Sequence, residues 1–350
     1  MLFKSPVASA LTMPTSNENE HALLEPPTDG VTSVRWDPAS RLLLASSWDK
    51  TVRLYDAHRG VTMDVISVPV PVLTADFVGD ASRAVSGALD GALRLHGLGS
   101  GGETVLGSHS GGVSCVRHCA ALGHDSVVSG SWDRTLKLWD VRASEACVGT
   151  FEQPDKVLSL CAREPAAAAG EPPLLVLATA GRQVMIIDLR KPTETLQHRE
   201  SSLKCQTRCV AQMPSGEGYT IGSVEGRVAV EYIDPAAESR KYAFKAHRLT
   251  VGGVDTSFPV NSIAFHPRYG TFATGGCDGN VYVWDADKKK RICQLRRYPT
   301  SIAALTFSPD GECLAVAASY TYENGAVPHS DEAIYVRKVT TAEVKSKDTT

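Results

Sequence analysis

The chain has 350 residues, 43% of them hydrophobic and 21% charged, with a formal net charge of −3. That is ordinary globular composition with enough apolar material for a sizeable core. The charge balance argues against bulk nucleic-acid binding driven by phosphate neutralisation, and no apolar run approaches the ~20 residues needed to span a bilayer.

The first residues, M-L-F-K-S-P-V-A-S-A-L-T-M-P, are mildly apolar but lack an apolar core followed by a cleavage site, so residues 1–17 read as a disordered extension. Nine scattered cysteines and no N-x-S/T sequon point to reduced thiols of the cytosol or nucleus. Cys115/Cys119 and Cys205/Cys209 are spaced C-x3-C, yet both pairs sit in strand-like stretches without neighbouring ligands. No metal and no cofactor is expected.

Further along, one local pattern recurs. An apolar run ends in small residues, an acid makes a tight turn, and an alternating strand follows. R-L-L-L-A-S-S-W-D-K-T-V-R-L-Y-D places Asp49 at such a turn, and A-V-S-G-A-L-D-G-A-L-R-L-H places Asp90 there 41 residues later. S-V-V-S-G-S-W-D-R-T-L-K-L-W-D follows with Asp133 after another 43. In V-L-A-T-A-G-R-Q-V-M-I-I-D-L, Arg182 takes the place of the acid. Y-T-I-G-S-V-E-G-R-V-A-V-E-Y carries Glu225, and T-F-A-T-G-G-C-D-G-N-V-Y-V-W-D carries Asp278 a further 53 residues on. A seventh unit runs from Y-P-T-S-I-A-A-L-T-F-S-P-D-G to D-E-A-I-Y-V-R-K-V, its turn expanded into a loop over residues 322–331.

Seven units of about 40–50 residues match the period of a seven-bladed WD40 β-propeller, an all-β ring. The seventh unit lacks an outer strand, and residues 19–25 are expected to supply it and close the ring. The propeller then spans 18–341 as one domain, with 342–350 a flexible tail and 162–173 a surface loop between two strands. Because every blade repeats them, Asp49, Asp90, Asp133, Glu225 and Asp278 read as structural. His109, 24 residues before Asp133, and His247, 31 before Asp278, are placed to bond those acids. Tyr55, Trp139 and Trp284 read as core between blades.

Four stretches are more specific: H-R-E-S-S-L-K-C-Q-T-R-C (198–209), S-V-E-G-R-V-A-V-E-Y-I-D-P (223–235), K-Y-A-F-K-A-H-R-L (241–249) and R-Y-P-T-S-I-A-A-L-T-F-S (297–308). They resemble the Bub-three family of mitotic spindle checkpoint WD-repeat proteins, and the resemblance runs from Asn19 to Lys347. It departs at the longer 162–173 loop and at a shortened segment before Lys241. The resemblance implies a non-enzymatic spindle assembly checkpoint adaptor, a monomeric propeller working in hetero-complexes. Such an adaptor binds the acidic GLEBS-type motifs of the Bub-type checkpoint kinase and its pseudokinase relative. It docks them on phosphothreonine repeats of the kinetochore scaffold. The implied location is nucleus and cytoplasm, and the kinetochore in mitosis, with no direct nucleic-acid or membrane partner. Two alternatives stand beside it. One is a messenger-RNA export factor binding a GLEBS-type nucleoporin motif. The other is a cullin ubiquitin-ligase substrate receptor, suggested by W-D-V-R at 139–142.

Extended ligands carrying carboxylates and a phosphate suit arginine, whose planar fork makes paired charge-assisted hydrogen bonds. Arg208, in Q-T-R-C at the start of blade five, matches a family position implicated in acidic and phosphopeptide contact. Arg227 lies beside it by blade order, Arg182 adds a positive charge from blade four, and Lys241 or Arg240 adds reach. Trp48 and Trp132, each preceding a turn acid, are expected to be exposed on the same face as binding anchors.

Overall fold

The computed structural model describes residues 19–39, 41–162 and 172–346. The expectations for 1–17, for 163–171 within the inserted loop and for 347–350 lie outside the described residues. Seven four-stranded antiparallel sheets surround a central channel, each running from an inner first strand to an outer fourth. The inner strands are Val31–Trp36, Val72–Val78, Val113–His118, Val157–Ala162, Thr207–Gln212, Val260–Phe265 and Ile302–Phe307.

All seven inner strands open on a β-branched residue, which favours extended backbone. That side chain is buried against the blade before it. The small residues preceding the turns explain how. A Cβ on Gly87 would lie 2.4 Å from Val113, on Gly130 2.5 Å from Val157, and on Gly275 2.5 Å from Ile302. Glycine leaves the hollow that the next blade's valine or isoleucine fills, so alanine there would force neighbouring blades apart.

A second regularity positions the site. In every inner strand the pairing register shifts between the first and third residues. Such a bulge leaves one residue unpaired and re-aims its side chain. The re-aimed residues are Thr32, Leu73, Ser114, Leu158, Arg208, Asn261 and Ala303, and all seven line the channel mouth.

The ring closes as the sequence predicts. Glu20–Ala22 pairs antiparallel with Ala333–Lys338 as the outer strand of the seventh blade. Glu20 is buried, accepts a 2.8 Å hydrogen bond from the Tyr298 hydroxyl and pairs with Arg296. Closure thus rests on a compensated buried charge as well as on the ladder.

Two features depart from expectation. The 53-residue step before Asp278 holds an extra hairpin, Arg248–Val251 with Val254–Ser257, between blades five and six. Gly252 and Gly253, at φ of +57° and +82°, make its two-residue turn, for which left-handed backbone at both positions is required. Part of the segment read as a flexible tail is also ordered. Thr341–Val344 forms a helical turn held by a capping box between Thr340 and Glu343, and Val344 is buried in the core between blades six and seven. Four residues carry no readable period, so only the capping pair signalled this turn.

Candidate functional site

Blades three and six contain a four-residue relay. In blade three, Trp139 Nε1 lies 2.8 Å from Ser129 Oγ, which lies 2.7 Å from His109 Nε2. An indole N–H can only donate, so Ser129 accepts from Trp139 and passes its own proton to Nε2. His109 Nδ1–H then lies 2.8 Å from Thr135 Oγ1 and 3.2 Å from Asp133 Oδ2. Blade six repeats the chain through Trp284, Thr274, His247 and Asp278, with spacings of 2.9 Å throughout. Trp139 is fully buried, while Trp284 is only half-buried, its outer edge packed on Phe244.

Burial pushes the His109 imidazole down to about 4 despite the facing carboxylate. Burial would raise Asp133, but hydrogen bonds from Thr135 and the Ser110 N–H and the charge of His109 outweigh it and hold the carboxyl at about 2. Asp49 accepts from the Thr51 N–H and hydroxyl, and Asp90 from the Ala92 N–H and the Arg94 guanidinium. These acids brace turns. Glu225 is the exception, since among the described residues its carboxylate meets only Arg227, at 4.0 Å.

The channel mouth is a cavity of about 670 Å3. Trp48 and Trp132 line it from blades one and three and remain 41% and 37% exposed. Arg208 lines it from blade five, is exposed, and donates through Nη2 to Asn261 Oδ1 at 2.8 Å. One such bond leaves most of its five N–H donors free. Tyr320 and Tyr322, from the expanded seventh-blade loop, also line it, with Tyr322 54% exposed and at φ +57°. Sequence reasoning located that loop but did not read its aromatic pair as part of the mouth. The signal was its position, on the same end of the blade as the turn acids.

The other predicted cations distribute differently. Arg227 opens the third strand of blade five beside the Glu225 turn, so it shares an end of the blade with Arg208, but it lies outward of the mouth. Arg182 bonds Glu200 and donates to the Leu203 carbonyl at 3.1 Å, so its charge is already matched. Its alignment also needs correcting. The second strand of blade four ends at Thr179 and the third begins at Gln183, so Gly181 stands where other blades carry the acid. Arg182 instead shares the left-handed position of Lys50 and Arg134, at φ of +66° to +68°. Lys241 is a second correction. It follows the 3₁₀ turn Pro235–Arg240 that joins the third and fourth strands of blade five, at the blade end opposite the Glu225 turn. There it pairs with Glu238. In a four-stranded antiparallel blade, successive connections alternate ends, so no side-chain reach brings it to the mouth. Arg142 of W-D-V-R is held by Asp125 at 3.1 Å and by Asp140 at 3.3 Å.

Residues 19–56, 103–140 and 240–285 match the model of the WD domain, G-beta repeat. The mitotic checkpoint protein BUB3.1 of Arabidopsis thaliana is 49% identical, over 93% of this chain and 94% of that protein. The chain belongs to the Bub-three family. The mitotic checkpoint protein bub3 of Dictyostelium discoideum is 42% identical over 93% of this chain and 96% of its own length. A poly(A)+ RNA export protein of Schizosaccharomyces pombe is 34% identical, over 93% of this chain and 91% of the relative. In fold, this Bub-three chain superposes on the structure of U3-55K with a TM-score of 0.76 at 17% identity, covering 92% of this chain and 98% of that one. Those two proteins share the propeller.

Proposed function

We propose that this Bub-three protein is a non-enzymatic adaptor of the mitotic checkpoint that grips extended acidic peptides across its channel mouth. The GLEBS-type segments of checkpoint kinases are one ligand, and phosphothreonine repeats of the kinetochore scaffold are the other. One observation carries this reading. Arg208 presents a largely unspent guanidinium between exposed Trp48 and Trp132, at the edge of a cavity of about 670 Å3. A carboxylate or phosphate satisfies the fork, while the indoles supply the apolar anchor that makes a hot spot. Arg227, further out on the same end, extends the positive track along the peptide.

Arg208→Glu is expected to abolish binding of a phosphothreonine peptide and weaken an acidic kinase segment, with thermal stability almost unmoved. Wild-type affinity in that variant would mean the mouth is not the docking site.

The similarity to an RNA export protein supports a second reading, in which the same mouth takes an acidic nucleoporin segment. Affinity purification from mitotically arrested cells separates the two. Checkpoint kinase and kinetochore scaffold support the first reading, and nucleoporins alone support the second.

A further inference from the structure

Below the mouth, the channel has its own charge pattern. The fifth residues of the seven inner strands form a ring of Arg35, Asp76, Arg117, Cys161, Ala211, Ala264 and Thr306. Three residues of strand, roughly 10 Å, separate this ring from that of Arg208. Between the two rings lies a cavity of about 170 Å3 lined by Arg35, Arg117, Arg208, Ser114, Ser159 and Ser262, among others. It has room for an oxyanion and a few waters, each water taking about 30 Å3. It shares lining residues with the mouth above and with the lower opening.

The charges here are only partly matched, with two guanidinium groups against the single carboxylate of Asp76. Arg35 and Arg117 each spend one N–H, on the Val34 carbonyl at 2.9 Å and the Val116 carbonyl at 2.8 Å. Arg35 Nε is buried with no hydrogen-bond partner. Among the described residues, no carboxylate oxygen lies within 4.0 Å of either guanidinium. The one acid in the ring, Asp76, turns its two oxygens to the backbone N–H groups of Phe77, at 3.0 Å, and His118, at 3.1 Å. Burial and the nearby charge of Arg117 pull the Arg35 guanidinium below its ordinary value, and the Asp76 carboxylate offsets them only in part. A guanidinium does not readily shed its proton, so the relief available is a counter-charge.

We propose that the channel binds a small multivalent oxyanion of the phosphate or sulfate class, clamped between Arg35 and Arg117 and overlooked by Arg208. Tetrahedral oxyanions offer acceptors in several directions, which suits two forks approaching from blades one and three and hydroxyls from the remaining wall. The site lies below the mouth and shares Arg208 with it, but its two clamping arginines, Arg35 and Arg117, take no part in the peptide capture proposed above.

Calorimetric titration of the full chain with sodium phosphate, at ionic strength held constant with sodium chloride and no peptide present, tests the site. A saturable 1:1 isotherm is expected, along with a melting temperature that rises with phosphate and then levels off. Arg117→Gln, and separately Arg35→Gln, should weaken phosphate about tenfold or more, as loss of a hydrogen bond to a charged group implies. Arg190→Gln, on the outer surface and paired with Asp188, should leave the isotherm unchanged. Absence of a saturable phosphate response in the wild type overturns the proposal, as does an unaltered isotherm in both channel variants. Should one channel variant fail to fold, the other decides.

Discussion

Blades three and five place comparable residues at the same spacing and put them to different uses. Blade three has His109 24 residues before Asp133, and the pair anchors a relay into Trp139. In blade five, Ser201 stands 24 residues before Glu225 and, like His109, donates its backbone N–H to the turn of the blade before. Ser201 has no imidazole to reach the turn, and Glu225 is a methylene too long to cap its own strand as aspartate does. The turn there has no histidine–acid pair to brace it. Its side chains offer a long Ser223 hydroxyl bond to the Arg227 carbonyl at 3.5 Å and the loose Glu225–Arg227 contact, and beside it Arg208 lines the mouth. Repetition marks residues that hold the ring together, and departure from it marks where a blade has been given over to ligand chemistry.

The comparison breaks first at Asp278, whose side chain and its partner His247 are both fully buried. Asp278→Ala is expected to cost about 3–5 kcal/mol, because it strands His247 and the turn donors; urea unfolding measures it. A loss below 1 kcal/mol would mean the relay is not what braces the blade. Next is binding, where Arg208→Glu should lose about 2 kcal/mol or more against an acidic peptide. Lys241→Glu, at the other end of the blade, should lose nothing by the same titration.

Acid sharpens the comparison further. His109 and Asp133 both titrate lower in the folded chain than in the unfolded one, so their stabilisation is complete at neutral pH and lost on acidification. The His109 share goes as pH falls from 6.5 to about 4, and the Asp133 share between 3.8 and about 2. The pair together is worth on the order of a few kcal/mol. Unfolding followed by denaturant across that range should show the loss, and His109→Gln should remove its upper part. The smallest effect belongs to Glu225→Ala, expected to stay within about 0.5 kcal/mol of wild type. A penalty matching that of Asp278→Ala would erase the distinction between the two kinds of turn.

Much of this was legible before any coordinates. The period of the turn acids gave the blade count, the missing outer strand pointed to residues 19–25, within which Glu20–Ala22 forms it, and the 24- and 31-residue spacings named both histidine–aspartate pairs. Those signals are local, or repeat, and survive being read along a line. The sequence alone puts Arg182 at the acid position, because a two-residue turn looks the same in one-letter code whether glycine or arginine takes its second place. Backbone register decided otherwise, with Thr179 and Gln183 bounding the turn.

What the chain by itself determines is therefore the ring, since each blade's small-residue run and β-branched start dictate how neighbours nest. What only the tertiary structure decides is which side chains meet inside it. Arg35, Arg117 and Arg208 are scattered over 174 residues and belong to three different blades. A bulge at the head of an inner strand and its two-residue alternation turn them into one shaft, and no linear pattern encodes that convergence.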